Sequence, residues 1–289
     1  MKVYLDYDQA ELDRNYTQTA WAPNADEIIR WYATQSEAVR HRLKRRADIR
    51  YGDSQAELLD IFPTDRKDAP ICVFVHGGAW RLLTKDESSF AAETFVAAGA
   101  HFVALNFAVI PQVRLPEMVA QVRRGIAFVH RHAASFGGDP RRLFVAGHSS
   151  GAHLAAAALA GEWPELGGSG SVRGALCASG IYDLEPVLLS QRGSYVKLDA
   201  AEADELSPLR HIDRLHCPVK VAFGGKESPE FQRQARRFAE ALEAAGRLQE
   251  LLLAPGLNHF EISMTLAQPD GLLARAALDM MGDAECRCV

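Results

Sequence analysis

Residues 143–160, LFVAGHSSGAHLAAAALA, limit the folds open to this chain more than any other stretch. LFVAG is a continuous apolar run of the kind found in strands buried on both faces, and AHLAAAALA is an alanine-rich run of high helical propensity. Only HSSG separates them, so strand must turn sharply into helix. Gly147 and Gly151 flank the turn, where side chains would collide. A strand that feeds a helix directly belongs to a layered βα architecture. The rest of the chain repeats the alternation. Short apolar runs read as strands at 48–51, 57–62, 71–75, 101–107, 143–146, 174–178, 219–223 and 248–253. Stretches of helical period fall at 24–46, 87–98, 115–135, 150–160, 230–245 and within 270–281. The pattern predicts an α/β fold, a mostly parallel eight-stranded sheet with helices on both faces.

In residues 24–46 the apolar stripe runs through Ile28, Trp31, Gln35, Val39 and Leu43. Asn24 is placed to cap that helix, and Arg42, Lys44, Arg45 and Arg46 read as a solvated cationic end that suits its dipole. GEWPELGGSGS at 161–171 reads as a short linker ending a helix, because the alternation resumes straight after it. One domain over 1–289 is expected, with a core at 47–282 and a tail at 283–289.

Charge and composition exclude several classes of function. Lys plus Arg is 32 against Asp plus Glu 37, a net charge of −5 that gives no reason to expect a nucleic-acid partner. Five scattered cysteines fit a reducing compartment better than a disulfide framework, which places the chain in the cytoplasm. The start, MKVYLDYDQAELDRNY, has acids where a secretory signal has its apolar core. No apolar run reaches the roughly 18 residues needed to span a membrane. The expected partner is a small molecule, neither nucleic acid nor membrane, and a homodimer stays open. Neither metal nor cofactor is expected. There is no H-E-x-x-H, His130 and His132 on a helix point apart, and Cys286-x-Cys288 reads as a frayed tail. GGSGS at 167–171 lacks the spacing of a phosphate-cradling loop.

The chemistry concentrates on the turn. Ser149 sits at its apex in Gly147-His148-Ser149-Ser150-Gly151, where the incoming helix adds free N–H groups and a positive dipole end. A serine hydroxyl needs a base, and the base needs an orienting acid. On this kind of elbow the chain order is Ser, acid, His. Of ten histidines, only His259, in PGLNHF, lies beyond the final strand. Glu227, in the loop after 219–223, is the candidate acid. Glu230, which opens the next helix, is its rival, and Asp183 in SGIYDL reads as a turn or cap residue. His76-Gly77-Gly78-Ala79-Trp80 follows the ICVFV strand. Backbone N–H groups at Gly77, Gly78 and Ala79, with that of Ser150, would serve as oxyanion donors. His76 would then pin the loop.

With these residues in place the chain resembles the α/β-hydrolase superfamily, and within it the kynurenine formamidase (arylformamidase) group and its carboxylesterase relatives. The resemblance runs from about Leu12 to Leu278. It is carried by LDIFP at 59–63, HGGAW at 76–80, GHSSGAHLA at 147–155, GGKESPEF at 224–231 and NHF at 258–260. It implies Ser149 as nucleophile, Glu227 as acid, His259 as base and HGGAW as the oxyanion motif. It also implies that the helical region 1–46 lies over the site as a partial lid, with Trp31 or Tyr32 facing the substrate; Trp80 is a further candidate contact. Two positions depart from the group: Ala79 stands where a bulkier Tyr is usual, and the acid is Glu where Asp is usual. The implied activity is serine hydrolysis of a small acyl group, foremost from an aryl formamide such as N-formylkynurenine. A short-chain carboxylesterase of broad specificity would carry the same site. A non-catalytic small-ligand binding protein on this fold is the reading from another class, and it would tolerate a broken triad.

Overall fold

The computed structural model describes residues 1–163 and 171–286, with side chains as far as Gly282. An antiparallel hairpin, β1 (Lys2–Tyr4) with β2 (Tyr7–Asp8), leads into α1 (Gln9–Asn15) and then α2 (Ala25–Arg42). Strands β3 (Arg46–Arg50), β4 (Leu58–Phe62) and β5 (Ala69–Val75) follow, then α3 (Ala92–Ala97), β6 (His101–Leu105) and α4 (Leu115–His132). Next come β7 (Gly138–His148), α5 (Ser150–Leu159) and β8 (Val172–Ala178). Three short helices, α6 (Glu185–Leu189), α7 (Gly193–Val196) and α8 (Ala200–Glu205), precede β9 (Val219–Gly224). The chain closes with α9 (Pro229–Ala244), β10 (Leu248–Ala254), α10 (Glu261–Met264) and α11 (Leu272–Cys286).

The large sheet has eight strands in the order β10-β9-β8-β7-β5-β6-β4-β3. Pairs from β10 to β6 are parallel, while β4 pairs antiparallel with both β6 and β3. Each of the eight expected strands is present, within a few residues of its expected ends. Strand alternation sorts the core into two layers. Ile71, Val73 and Val75 of β5 face a core shared with Met118 of α4, Leu154 of α5 and Phe238 of α9. Cys72 and Phe74 face the other, with Val39 of α2, Phe95 of α3 and Leu273 of α11. A central strand apolar at every position is the consequence, because both of its faces are covered.

Three local readings are corrected. The helix expected over 24–46 stops at Arg42, because Leu43 turns to extended backbone and Arg46 already opens β3. The basic run is therefore not wholly a solvated helix end. Arg45 reaches the fully buried Asp60 at 3.0 Å, and Lys85 meets the same carboxylate at 3.0 Å. The helix expected over 87–98 is two 3₁₀ turns followed by the six residues of α3. The backbone of α11 runs on to Cys286, past the expected start of the tail. Most of the 161–171 linker, Cys288 and the side chain of Cys286 lie outside the described residues.

Candidate active site

β7 delivers the nucleophile candidate. Its last residue is His148, and Ser149 then takes φ 57° and ψ −125° at the N-cap of α5. That is a left-handed φ on a non-glycine residue, held because Ser149 N–H donates to Ala178 O at 2.9 Å while its carbonyl starts the helix. Gly151 allows the close approach: a Cβ there would come within 2.1 Å of Val75 O. Ser150 is the first residue of α5, so its N–H has no intrahelical acceptor.

The Gly77–Trp80 loop leaves β5 beside it. Gly78 has φ +110°, and a Cβ would fall 2.0 Å from Leu82 O, so only glycine fits. Ala79 and Trp80 also have left-handed φ, 53° and 62°. Three bonds lock the loop: Trp80 N–H to Ser150 Oγ at 3.2 Å, and Arg81 and Leu82 N–H to Gly78 O at 2.9 Å each. His76 donates from Nδ1 to Gly77 O at 2.8 Å and stacks on Phe107 with ring centres 4.2 Å apart. Burial pulls its pKa down to about 4, so it stays neutral.

His259 lies beyond β10 and bridges the other two groups. Its Nε2 is 2.8 Å from Ser149 Oγ, and its Nδ1 is 3.1 Å from Glu227 Oε2. All three side chains are buried. The other carboxylate oxygen, Glu227 Oε1, accepts from Ser179 Oγ–H at 2.5 Å and from Gly224 N–H at 2.6 Å. A carboxylate with one oxygen so occupied presents the second to the imidazole in a fixed direction. The preceding His148 donates from Nε2 to His259 O at 2.7 Å. Burial, then the neighbouring His259, drives its pKa down to about 3.

Glu230, the rival acid, points elsewhere. It is fully buried in a two-pronged pair with Arg233, at 2.7 and 2.8 Å, and accepts from Tyr16 O–H at 3.1 Å. Asp183 is also remote, paired with Arg210 at 3.0 Å.

A cavity of about 460 Å³ opens over Ser149 and His259. Gly78 and Ala79 line it on the loop side, and Tyr16, Gln18, Ile29 and Tyr32 come from the N-terminal region. Gly77 stands behind, where a Cβ would lie 3.1 Å from Ser149 Cβ. Two expected substrate contacts are corrected. Trp80 is 1% exposed and off the cavity wall; its indole Nε1–H donates to His153 Nδ1 at 3.2 Å, because the left-handed turn at 78–80 directs the ring inward. Trp31 is also off the wall, packed at a tilt against Phe90 with ring centres 5.6 Å apart, because the buried stripe of α2 runs through Ile28, Tyr32, Ser36 and Val39. Tyr32 does line the cavity, and its hydroxyl donates to Phe260 O.

The residues that sequence reasoning missed come mainly from the short helices after β8. Arg192, Ser194 and Tyr195 also line the cavity. Asn24 was expected only as a cap. Its side chain instead accepts from Asn258 Nδ2–H and donates to Glu261 Oε1, both at 2.8 Å, tying α2 to the loop that carries His259. Among the described residues no group of three or more His, Cys, Asp or Glu could hold a metal ion, and no helix is long and apolar enough to cross a membrane.

The chain is similar over nearly its full length to known proteins. Kynurenine formamidase of Danio rerio is 33% identical, with 94% of this chain and 96% of that protein aligned. Kynurenine formamidase of Salmo salar is 32% identical, over 98% and 99%. The BD-FAE family model matches residues 59–168. Among solved structures, a proposed thioesterase from Silicibacter sp. superposes with a TM-score of 0.82 at 27% identity, covering 94% of this chain and 99% of that one. The strand order, the serine elbow and these likenesses agree: the chain is a hydrolase of the α/β-hydrolase superfamily and belongs to the kynurenine formamidase family.

Proposed function

We propose that this chain is an arylformamidase that removes the formyl group of N-formylkynurenine or a similar aryl formamide through a Ser149–His259–Glu227 triad. The observation that carries the reading is the continuous contact from Ser149 Oγ through His259 to Glu227, at 2.8 and 3.1 Å, beneath a cavity walled by Tyr16 and Tyr32. Ser149 attacks the formyl carbon as His259 Nε2 takes its proton. Glu227 keeps the second imidazole proton on Nδ1 and stabilises the imidazolium that forms. The N–H groups of Gly78, Ala79 and Ser150 receive the oxyanion, each donor contributing about 3 kcal/mol. His259 then delivers its proton to the departing nitrogen. This step matters more for an amide than an ester, because an amine anion is the poorer leaving group. Water, activated by the same imidazole, releases formate.

Ala79 supports a second reading. Its methyl group on the cavity wall leaves space beside the nucleophile, which would suit the longer acyl chains taken by a short-chain carboxylesterase. Rates on N-formylkynurenine, p-nitrophenyl acetate and p-nitrophenyl butyrate separate the two. The first reading expects the formamide to match or exceed the esters; a formamide rate several decades lower would replace it with the second. Ser149→Ala is expected to reduce kcat by about a millionfold. Substantial turnover by that variant would remove both readings, as would failure of a fluorophosphonate to label Ser149. The buried free thiols Cys72, Cys177 and Cys217 support a reducing, cytoplasmic location.

A further inference from the structure

The two edges of the large sheet are built differently. At one edge β3 reads RADIR, with a register shift between Arg46 and Ile49 and a left-handed φ of 53° at Asp48. Charged side chains and irregular backbone keep an edge from pairing with another chain. At the other edge β10 reads LQELLLA, with neither Lys, Arg nor Pro. Its one charge, Glu250, is already paired with Lys220 at 3.0 Å, while Leu251 and Leu253 are 40% and 44% exposed. Among the described residues no strand lies beyond it. Ala254 O accepts from Gly225 N–H, and alternate residues of a parallel ladder face the neighbouring strand. Leu251 and Leu253 therefore turn their N–H and C=O groups outward.

The helix beside this edge carries charges in a matching order. Leu252 and Ala254 pack into the core layer of α11, so Leu251 and Leu253 point to the opposite face, where α9 lies. Phe238 of α9 stacks on Tyr182, just past the end of β8, with ring centres 3.9 Å apart. Arg236 is on the other flank of the helix, toward β10, and its guanidinium lies over Phe223, the register partner of Leu253. Glu240 is one turn further along that flank. As the crossover between two parallel strands, α9 runs against them, so Glu240 stands level with Leu251. Both side chains are exposed, and Glu240 has only a loose exposed pair with Arg237 at 3.8 Å.

We propose that the partner of this edge is a second copy of the chain, its β10 pairing antiparallel with the first about a two-fold axis at Leu252. Leu251 then lies opposite the partner's Leu253, each exchanging both backbone bonds with the other, and the exposed leucines cover one another. The same axis exchanges the levels of Leu251 and Leu253, so Arg236 of each copy meets the partner's Glu240. The register that pairs the backbones is thus the register that pairs the charges, and the large sheet runs unbroken through the dimer.

Sedimentation equilibrium of the full chain at micromolar concentrations tests this, with a species of twice the chain mass expected. Leu251→Lys combined with Leu253→Lys places the cations of a guarded edge at two exposed positions. The thermal melt of the monomer should hold, while the dimer Kd rises by about 100-fold or more. Arg236→Glu and Glu240→Arg are each expected to weaken the dimer by about tenfold, since each sets like charges together twice. The two combined should return Kd to within about threefold of the wild type. Under mild oxidation Leu252→Cys should give a disulfide-linked dimer well above the wild-type background, and Leu251→Cys should not. Only position 252 meets its own copy, at a Cα separation of about 4.5 Å. A wild type that stays monomeric, a dimer unmoved by the paired lysines, or a charge reversal that does not restore Kd would each overturn the proposal. If the lysine variant does not fold, the charge reversal and the cross-link decide.

Discussion

Glu227 divides its work between two oxygens, one anchored by Ser179 and Gly224 and the other turned to His259. Glu227→Gln keeps the shape but puts an amide where an acceptor is needed, so kcat is expected to fall by about 10⁴. Glu230→Gln should act differently. It strands Arg233 in a half-buried site and costs about 3 kcal/mol of stability, read as a lower urea midpoint, with a far smaller loss of kcat. If the Glu230 variant were instead the inactive one, the acid would be misassigned. Ser149 and His259 were legible because chain order and flanking glycines are local signals. The choice of Glu227 over Glu230 rests on loop position and on the family resemblance, and no periodicity could show that Arg233 would claim Glu230. Trp31 and Tyr32 were given together as candidates, yet adjacent helical residues face directions about 100° apart, and only Tyr32 points at the cavity.

The central strands of the large sheet were legible at element scale because strands buried on both faces read as unbroken apolar runs, whereas the short β1–β2 hairpin was not expected. Nor were the short helices 185–205. Their places are set by contacts such as Arg192 to Tyr16 O and Gln191 to Asp13, which span more than 170 residues of chain and leave no local pattern. Helix α2 does more than lie over the site. Asn24 bonds to Asn258 and Glu261, and Tyr32 to Phe260, so the helix fixes the loop on either side of His259. Asn24→Ala should lower stability by roughly 1–2 kcal/mol and slow fluorophosphonate labelling of Ser149, because the imidazole loses its rigid mounting. Thermal melts and labelling rates check this; an unchanged labelling rate would reduce α2 to a passive cover.

For the molecule as a whole, the buried histidines set the acid limit. Burial holds His148 at about 3, and His76 and His153 at about 4. In the unfolded chain each titrates near 6.5. Above that pH both states are neutral there and stability does not change on their account. Below it the unfolded chain takes up protons that the folded one refuses, so stability falls with pH, by about 1.4 kcal/mol per unit for each ring or ~4 for the three. The loss levels off near pH 4, where the folded rings begin to protonate. Urea midpoints measured from neutral pH down to about pH 5 should fall steeply, and a flat profile would contradict the buried neutral rings. The cover over the cavity has a consequence of another kind. Gln9 bonds to Leu189 O, Gln191 to Asp13, and Arg192 to Tyr16 O, so the N-terminal region and the 184–206 stretch are stitched along a shared seam. They form an arch, with neither half a free-standing flap. In building chimaeras with relatives, the smallest transferable unit of substrate choice is therefore both stretches together, since a graft of either alone inherits half a seam.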